Sequence, residues 1–272
     1  MTGSLLEALI DIANQAAALV DNVYQRDFSV AYKGPRDPVT DADRLANDFI
    51  CSRLARAFPD IPVVAEESDP SSFAGFTRAE RVFFVDPVDG TREFVARNGE
   101  FAVMIGLLDG DVASHGVIVA PALGSSWAGA VGTGAFRIDA TGQRTKIHVS
   151  SCERLERARV VASRSQSERF KTALLELGAQ ELIPLGSAGL KAAAVAEGRA
   201  DLYVAPRWGG KRWDTCAGDA IVRAAGGLFS DASGAPLAYR STNLDNDRGV
   251  VTAPPVLHAA ALAALAAYDR RD

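Results

Sequence analysis

Two aspartates three residues apart are the most chemically informative feature of the sequence. Asp86 and Asp89 lie in the run DPVDGT (86–91), directly after the apolar segment RVFFV (81–85). Two like charges at the end of a buried strand are costly unless a cation lies between them. Hard cations such as Mg²⁺ take their ligands from carboxylate, carbonyl and water oxygens. The run therefore predicts a magnesium site, to which the Val88 carbonyl would add an oxygen ligand.

The same run offers groups that bind phosphate. Gly90 lets the backbone approach an anion closely, and the amides that follow it can donate to phosphate oxygens. Thr91 places a hydroxyl group at the same point of the chain. Taken alone, DPVDG is also consistent with an aspartate-rich turn whose carboxylates merely accept hydrogen bonds from backbone amides.

Further acids at the ends of predicted elements favour the catalytic interpretation. Asp43 falls in the first turn of a predicted helix, Glu66 ends an apolar strand, and Asp214 begins a helix rich in alanine and glycine. Functional sites are usually built at such ends. Two-metal phosphoryl chemistry needs an acidic cluster, because the ions hold the phosphate, acidify a water and stabilise the leaving oxygen.

Hydrophobic periodicity predicts the elements that must position these acids. The predicted elements are helices at 4–24 and 41–57 with a turn at 34–38 between them, strands at 61–68 and 81–90, and a strand meander at 101–138. Alternating strands and helices follow at 160–163, 167–177, 181–185, 188–197, 201–205 and 215–225. The change of pattern predicts an α+β half over 1–150 and an α/β half over 151–272. No flexible linker separates them, so we expect the two halves to pack as one unit.

Composition excludes several other functions. The net charge of −5 argues against binding to a nucleic-acid polymer, which requires a basic surface. Three cysteines without a CxxC pair favour a reducing, cytoplasmic location. The N-terminal segment has the pattern of an amphipathic helix rather than a signal peptide. No apolar run approaches the roughly 20 residues that span a bilayer, so no membrane association is expected.

Four ordered motifs resemble those of the inositol monophosphatase superfamily, and the resemblance covers essentially the whole chain. They are DPVTDAD (37–43), AEES (65–68), DPVDGT (86–91) and WDTCAGDAIVRAAGG (213–227). The stretches GTREFVARNGEF (90–101), GSAGLK (186–191) and GGKRWDTCAG (209–218) are similar to the CysQ branch. The enzymes of that branch are 3'(2'),5'-bisphosphate nucleotidases, which convert 3'-phosphoadenosine 5'-phosphate to AMP.

The resemblance implies a fold, a cofactor and an assembly. The fold would be the layered αβαβα sandwich of the inositol monophosphatase and fructose-1,6-bisphosphatase type, in which α+β and α/β halves face each other across the active-site cleft. The N-terminal half would carry most of the metal ligands, and the C-terminal half would carry Asp214 and the walls of the substrate pocket. Two or three Mg²⁺ ions, inhibition by Li⁺ and a homodimer are also implied.

The resemblance further assigns the metal ligands residue by residue. Glu66, Asp86 and the Val88 carbonyl match the ligands of one ion. Asp86, Asp89 and Asp214 match those of a second ion.

Asp43 and Thr91 match the pair that orients and deprotonates the attacking water, near a third and weaker metal site. A threonine hydroxyl is too weakly acidic to act alone, but a hydrogen bond to a carboxylate lets it pass a proton. The implied step is an in-line attack on phosphorus by a metal-activated water, without a covalent enzyme intermediate.

The substrate pocket is less well defined by the sequence. Besides Gly90, Thr91 and Asp214, the resemblance points to Ser165 and Gln166 in SRSQ (163–166), where the branch usually has SRSH. Glutamine forms hydrogen bonds but carries no charge toward a phosphate.

Lys191 is a candidate ligand for a second phosphate, and an ordinary lysine on a helix surface is the alternative. The leading prediction is a bisphosphate nucleotidase that acts on a small phosphorylated metabolite. The first alternative is a phosphatase for inositol 1-phosphate or another sugar phosphate. A non-catalytic protein that binds metal or anions is a more distant one, because all of the matched acids and Thr91 are intact.

Overall fold

The computed structural model describes residues 2–34, 37–164, 166–176 and 178–269. The helices are α1 (Thr2–Tyr24), α2 (Asp41–Ala57), α3 (Thr91–Val95), α4 (Glu168–Glu176), α5 (Ala188–Ala196), α6 (Trp213–Ala224) and α7 (Pro255–Asp269). The strands are β1 (Val30–Gly34), β2 (Asp37–Thr40), β3 (Val63–Ala65), β4 (Arg81–Asp89), β5 (Ala102–Asp109), β6 (Val112–Ala120), β7 (Ser125–Ala130), β8 (Gly134–Asp139), β9 (Arg144–Ile147), β10 (Arg159–Ala162), β11 (Glu181–Pro184), β12 (Leu202–Ala205), β13 (Leu228–Ser230) and β14 (Val250–Ala253).

The first large sheet has seven strands in the order in which they occur in the sequence, from β3 to β9. The β3 and β4 strands are parallel, and the remaining neighbours form the antiparallel meander that the sequence predicts. Alternate side chains of β4 enter two different cores. Phe83 and Val85 pack with α1 and α2, whereas Phe84 packs with α5 and α6. Both faces of the sheet are therefore covered by helices.

A row of three glycines explains how closely α6 approaches this sheet. Gly106 pairs with Gly116, and Gly116 pairs with Gly129, across β5, β6 and β7. A Cβ atom added at Gly116 would lie 2.2 Å from the carbonyl oxygen of Ala217 in α6. The row thus forms a shallow groove in which the α6 backbone lies directly on the sheet.

The second large sheet has five strands in the order β11-β10-β12-β14-β13. One of its faces packs on α5 and α6, and the other packs on α4 and α7 through residues such as Phe170 and Leu257. The layers are therefore α1 and α2, the seven-stranded sheet, α5 and α6, the five-stranded sheet, and finally α4 and α7. The predicted αβαβα sandwich is confirmed.

The elements differ from the prediction in several details. The chain before α2 forms a β1–β2 hairpin where the sequence indicated only a turn, and β3 is shorter than the predicted strand 61–68. The seven-stranded sheet ends at Ile147 and the five-stranded sheet begins at Arg159, whereas the division of the chain at residue 150 stays a prediction. None of the described helices combines the length and the apolar composition that a membrane-spanning segment requires.

Candidate functional site

Three predicted metal ligands converge at one end of the seven-stranded sheet. Glu66 follows β3, Asp86 lies in β4, and Asp214 is in the first turn of α6. The parallel pairing of β3 with β4 brings the two strand ends together, and the Glu66 amide donates to the Val85 carbonyl at 3.1 Å. The three carboxylates each place an oxygen within 4.8 Å of the other two. Residues 148 positions apart in the sequence, 214 − 66, thus share one site.

The electrostatics of this cluster suit a cation. Burial, and then the neighbouring negative charges, raise the pKa values of Asp86 and Asp214 well above the usual range. Burial likewise raises the pKa of Glu66 to about 7. Three carboxylates form an all-oxygen donor set, which a hard divalent ion such as Mg²⁺ prefers. The residues present therefore fit the metal that the sequence predicts.

Lys33 of the β1–β2 hairpin contacts the cluster, although the sequence did not single it out. Its Nζ atom lies 3.0 Å from Glu66 Oε1 and 2.6 Å from Glu67 Oε1. Burial by itself lowers the pKa of this lysine, but the two glutamates outweigh burial and raise it. Since the hairpin was predicted as a turn, no periodic signal pointed Lys33 toward the site.

Asp89 lies outside the three-carboxylate cluster. Its carboxylate accepts hydrogen bonds from the Ser187 hydroxyl, from the Ala188 amide at 3.0 Å and from the Gly189 amide at 2.7 Å. These donors form the N-terminus of α5, where the helix dipole and the free amides stabilise an anion. The contact joins β4 to α5 across about one hundred residues of sequence. The role of Asp89 as a metal ligand stays a prediction.

Asp43 and Thr91 form a hydrogen-bonded pair beside the cluster. The Thr91 hydroxyl lies 3.1 Å from Asp43 Oδ1 and 3.1 Å from the Val88 carbonyl oxygen. Asp43 also accepts from the Thr40 amide at 2.8 Å in the capping box that begins α2. Burial raises the pKa of Asp43 above its ordinary value. The capping box therefore holds the Asp43 carboxylate in the position from which it accepts the hydrogen bond of the Thr91 hydroxyl.

The backbone at Gly90 leaves no room for a side chain. Its φ angle is +92°, and an added Cβ atom would lie 2.8 Å from the Glu100 carbonyl oxygen. Only glycine adopts this conformation without strain. Gly90 therefore sets the turn that leads from β4 into α3 and places Thr91 at the start of that helix.

A cleft of about 630 Å³ is lined by the three clustered carboxylates and by Lys33, Asp89 and Thr91, whereas Asp43 is not among its lining residues. The predicted substrate residues Gly90, Thr91, Lys191 and Asp214 all line it. From the segment SRSQ, the described residues that line the cleft are Ser163 and Arg164, and Gln166 is not among them. Ser165 lies outside the described residues. The cleft wall also includes Lys211, near the predicted ligand Asp214, and Trp208, which no sequence pattern singled out.

Lys191 is buried and is not a lysine of a helix surface. Only 4% of the residue is exposed, and its Nζ atom donates to the Ser187 carbonyl at 2.8 Å. The same atom lies 5.3 Å from the centroid of the Tyr203 ring. Burial lowers the pKa of Lys191, an effect that the nearby carboxylates oppose.

Comparisons with known proteins agree with this geometry. The model of the family described as "Inositol monophosphatase family" matches residues 2–270. The 3'(2'),5'-bisphosphate nucleotidase CysQ of Escherichia coli O6:H1 is 38% identical over 239 residues, which cover 86% of this chain and 94% of that relative.

Two solved structures are similar to this chain over most of its length. The crystal structure of CysQ from Bacteroides thetaiotaomicron matches with a TM-score of 0.77 at 32% identity, covering 92% of this chain and 97% of that one. The IMPase of Thermotoga maritima matches with a TM-score of 0.82 at 27% identity, covering 98% and 99%.

Proposed function

This chain belongs to the inositol monophosphatase family, and we propose that it is a 3'(2'),5'-bisphosphate nucleotidase that converts 3'-phosphoadenosine 5'-phosphate to AMP and phosphate. The observation that carries the proposal is that one cleft holds both the acidic cluster and the buried Lys191. A substrate with one phosphate would use only the acidic end. A second phosphate would add negative charge beside the buried Lys191 ammonium group, to that of the nearby carboxylates that already favour its charged form.

The proposed cofactor is Mg²⁺, with two or three ions. Glu66, Asp86 and the Val88 carbonyl would hold one ion, and Asp86, Asp89 and Asp214 a second. The close approach of Glu66, Asp86 and Asp214 supports this set, whereas Asp89 is assigned from the resemblance of its motif. When bound, Mg²⁺ supplies positive charge that neutralises the phosphate and makes water more acidic.

The protein's own contribution to proton transfer lies in Asp43 and Thr91. The Thr91 hydroxyl donates to Asp43, so its free lone pair can accept a proton from a water beside the phosphate. The raised pKa of Asp43 makes its carboxylate a better proton acceptor than an exposed aspartate. The backbone amides that follow Gly90 are available to the phosphate oxygens.

Release of phosphate from two substrates tests the proposal directly. With Mg²⁺ present, 3'-phosphoadenosine 5'-phosphate and inositol 1-phosphate are compared side by side at equal concentrations. We expect a clear preference for the nucleotide. A preference for inositol 1-phosphate would be consistent with the proposed catalytic residues but would contradict the proposed substrate. The absence of turnover of both substrates would contradict the proposed activity.

Replacement of Lys191 tests the second phosphate site. Lys191→Met keeps the length of the side chain but removes its charge, and a hydrogen bond to a charged group is worth about 1.5–3 kcal/mol. We therefore expect the KM for the bisphosphate nucleotide to rise about 10- to 100-fold, with a much smaller rise for inositol 1-phosphate. The matched control is Lys146→Met, at an exposed lysine of β9. Equal effects on the two substrates would argue against this role.

Inhibition by Li⁺, a homodimeric state and a cytoplasmic location also stay predictions. The first follows from the resemblance to the family and is checked by adding LiCl to the phosphate-release assay. The second is checked by light scattering of the purified chain. The third follows from the cysteine content and is checked by cell fractionation.

A further inference from the structure

One aromatic ring in the wall of the cleft is open to solvent. Trp208, in the loop between β12 and α6, has 61% of its surface exposed. The other tryptophan of the cleft wall, Trp213, is only 8% exposed. The cations Lys33 and Lys211 line the same cleft. The exposed face of this ring is in contact with water. A ligand that covered the ring would remove this apolar surface from water, which is energetically favourable.

The exposed ring is held in place by its neighbours. The Trp208 Nε1 atom donates to Asp245 Oδ1 at 3.4 Å, and the same oxygen lies 2.7 Å from Lys211 Nζ. The adjacent Asn246, only 1% exposed, donates from its amide side chain to the Lys211 carbonyl at 2.8 Å and from its backbone to the Gly210 carbonyl at 2.8 Å. These bonds fasten the 208–212 loop to the segment around Asn246.

The loop that carries this ring also contacts the acidic cluster. The Lys211 amide donates to Asp214 Oδ2 at 2.7 Å. The ring and the cluster are thus joined by a few residues of hydrogen-bonded backbone. A molecule whose phosphate lies at the cluster could extend along the cleft to the ring.

From this arrangement we propose that Trp208 is the surface on which the base of the nucleotide stacks, a role that rests on the nucleotidase activity proposed above. Every nucleobase has a π-face that stacks on an aromatic side chain, whereas a polyol phosphate has none. Lys211 pairs with Asp245, which also accepts the hydrogen bond from the ring, and so helps to hold the ring in position. Trp208 is therefore a specificity-determining residue that separates nucleotides from inositol and sugar phosphates.

Kinetics of two variants test this assignment. Stacking on an aromatic side chain is worth about 1–3 kcal/mol per base, so Trp208→Ala should raise the KM for 3'-phosphoadenosine 5'-phosphate about 5- to 150-fold. The KM for inositol 1-phosphate should change far less. Trp208→Phe keeps an aromatic face and should fall between the wild type and the alanine variant. Equal changes for the two substrates would overturn the proposal.

Fluorescence provides a second readout that is independent of turnover. AMP should quench the tryptophan emission of the wild type, whereas ribose 5-phosphate, which lacks a base, should not. In Trp208→Phe, where Trp127 and Trp213 remain, the quenching by AMP should disappear. Quenching that survives in this variant would contradict the assignment.

The two proposals fail in different ways. A wild-type protein that does not hydrolyse 3'-phosphoadenosine 5'-phosphate would contradict the proposed function. A wild-type protein that hydrolyses it, together with a Trp208→Ala variant of unchanged KM, would contradict the stacking role alone. Thermal unfolding tests whether both variants are folded, and we expect Tm values close to that of the wild type because the side chain is mostly exposed.

Discussion

At the scale of single residues, the site combines clustered carboxylates with nearby groups that offset their negative charge. Glu66, Asp86 and Asp214 hold three carboxylates within 4.8 Å, and their pKa values rise because burial and mutual repulsion disfavour the charged forms. Lys33 offsets part of this charge at Glu66. Asp89, only three residues from Asp86, is instead stabilised by the N-terminus of α5. Neighbouring aspartates therefore have different surroundings within one motif.

The Thr91 hydroxyl is expected to be essential for turnover. Thr91→Val keeps the shape of the side chain but removes the group that lies 3.1 Å from Asp43 Oδ1. General acid–base assistance contributes about 10²- to 10⁴-fold, so kcat at saturating Mg²⁺ should fall by that range. Thr91→Ser retains the hydroxyl and should keep most of the activity. A valine variant as active as the serine variant would exclude the hydroxyl from the mechanism.

At the scale of elements, α6 connects the acidic cluster to the middle of the fold. It carries Asp214 in its first turn and lies in the groove formed by Gly106, Gly116 and Gly129. Its opposite end is held by a buried network, in which Asp219 pairs with Arg223 and accepts from the Tyr239 hydroxyl at 3.1 Å. The position of Asp214 therefore depends on packing at some distance from the cleft.

The glycine groove is testable by adding single methyl groups. Gly116→Ala would place a Cβ atom 2.2 Å from the Ala217 carbonyl oxygen and push α6 away from the sheet. Overpacking typically costs about 1–3 kcal/mol, and a contact with backbone predicts the upper part of that range. Unfolding in urea should show this loss, and the Mg²⁺ concentration required for half-maximal activity should rise.

Gly129→Ala is the matched control for the same groove. Its nearest neighbours would be the side chain of Ala224 at 3.1 Å and that of Ala135 at 3.2 Å, together with backbone of Ile221 at 3.2 Å. The loss of stability should therefore be smaller than for Gly116→Ala. If both variants lose the same free energy of unfolding, the close approach of α6 at Gly116 does not determine the loss of stability.

The Asp219 network should make stability depend on pH. Burial, opposed by Arg223, raises the pKa of Asp219 to about 6. A carboxyl with a raised pKa contributes stability that is complete below its unfolded pKa of about 4 and is lost as pH rises through about 6. The linkage predicts a loss of roughly 1–2 kcal/mol from this group between pH 5 and pH 8.

Denaturation at saturating Mg²⁺ measures this dependence. In Asp219→Asn the decrease in unfolding free energy between pH 5 and pH 8 should be smaller than in the wild type. Asp60→Asn, at an exposed position, serves as the control and should follow the wild type. An Asp219→Asn variant with the full pH dependence of the wild type would rule out this origin.

At the scale of the whole molecule, the site joins the two large sheets. Glu66 and Asp86 belong to the seven-stranded sheet, whereas Asp214 and Lys191 are on the helices between the two sheets. The five-stranded sheet supports those helices from the other side through Tyr203 and Val250. A cation bound by the cluster would therefore tie together parts of the chain that are far apart in sequence.

Metal binding should raise the stability of the whole protein. A ligand at 100 times its Kd stabilises the folded state by about 2.7 kcal/mol, which corresponds to a rise in Tm of about 5–10 °C for a chain of this size. We expect this rise when Mg²⁺ is added to protein treated with EDTA. Thermal unfolding followed by circular dichroism measures it.

Asp214→Asn separates the metal effect from a general salt effect. The variant keeps an oxygen that can accept from the Lys211 amide but removes one of the three repelling charges. In EDTA it should be at least as stable as the wild type, and the rise in Tm with Mg²⁺ should be lost along with turnover. A variant that is still stabilised by Mg²⁺ would contradict the assignment of Asp214 as a ligand.

The features of this protein that depend on local chemistry were predictable from its residues alone. The apolar runs and the acids at their ends predicted most of the strands and helices and an acidic metal site, whereas the αβαβα layers and the family followed from the resemblance of four ordered motifs. The contacts between residues that are far apart in the sequence are seen only in the tertiary structure. The contacts of Lys33 with Glu66 and of Asp89 with α5 join segments 33 and about 100 residues apart, and Trp208 enters the cleft on a loop without periodicity. Such contacts depend on the packing of several elements at once, and hydrophobic periodicity reports only the elements themselves.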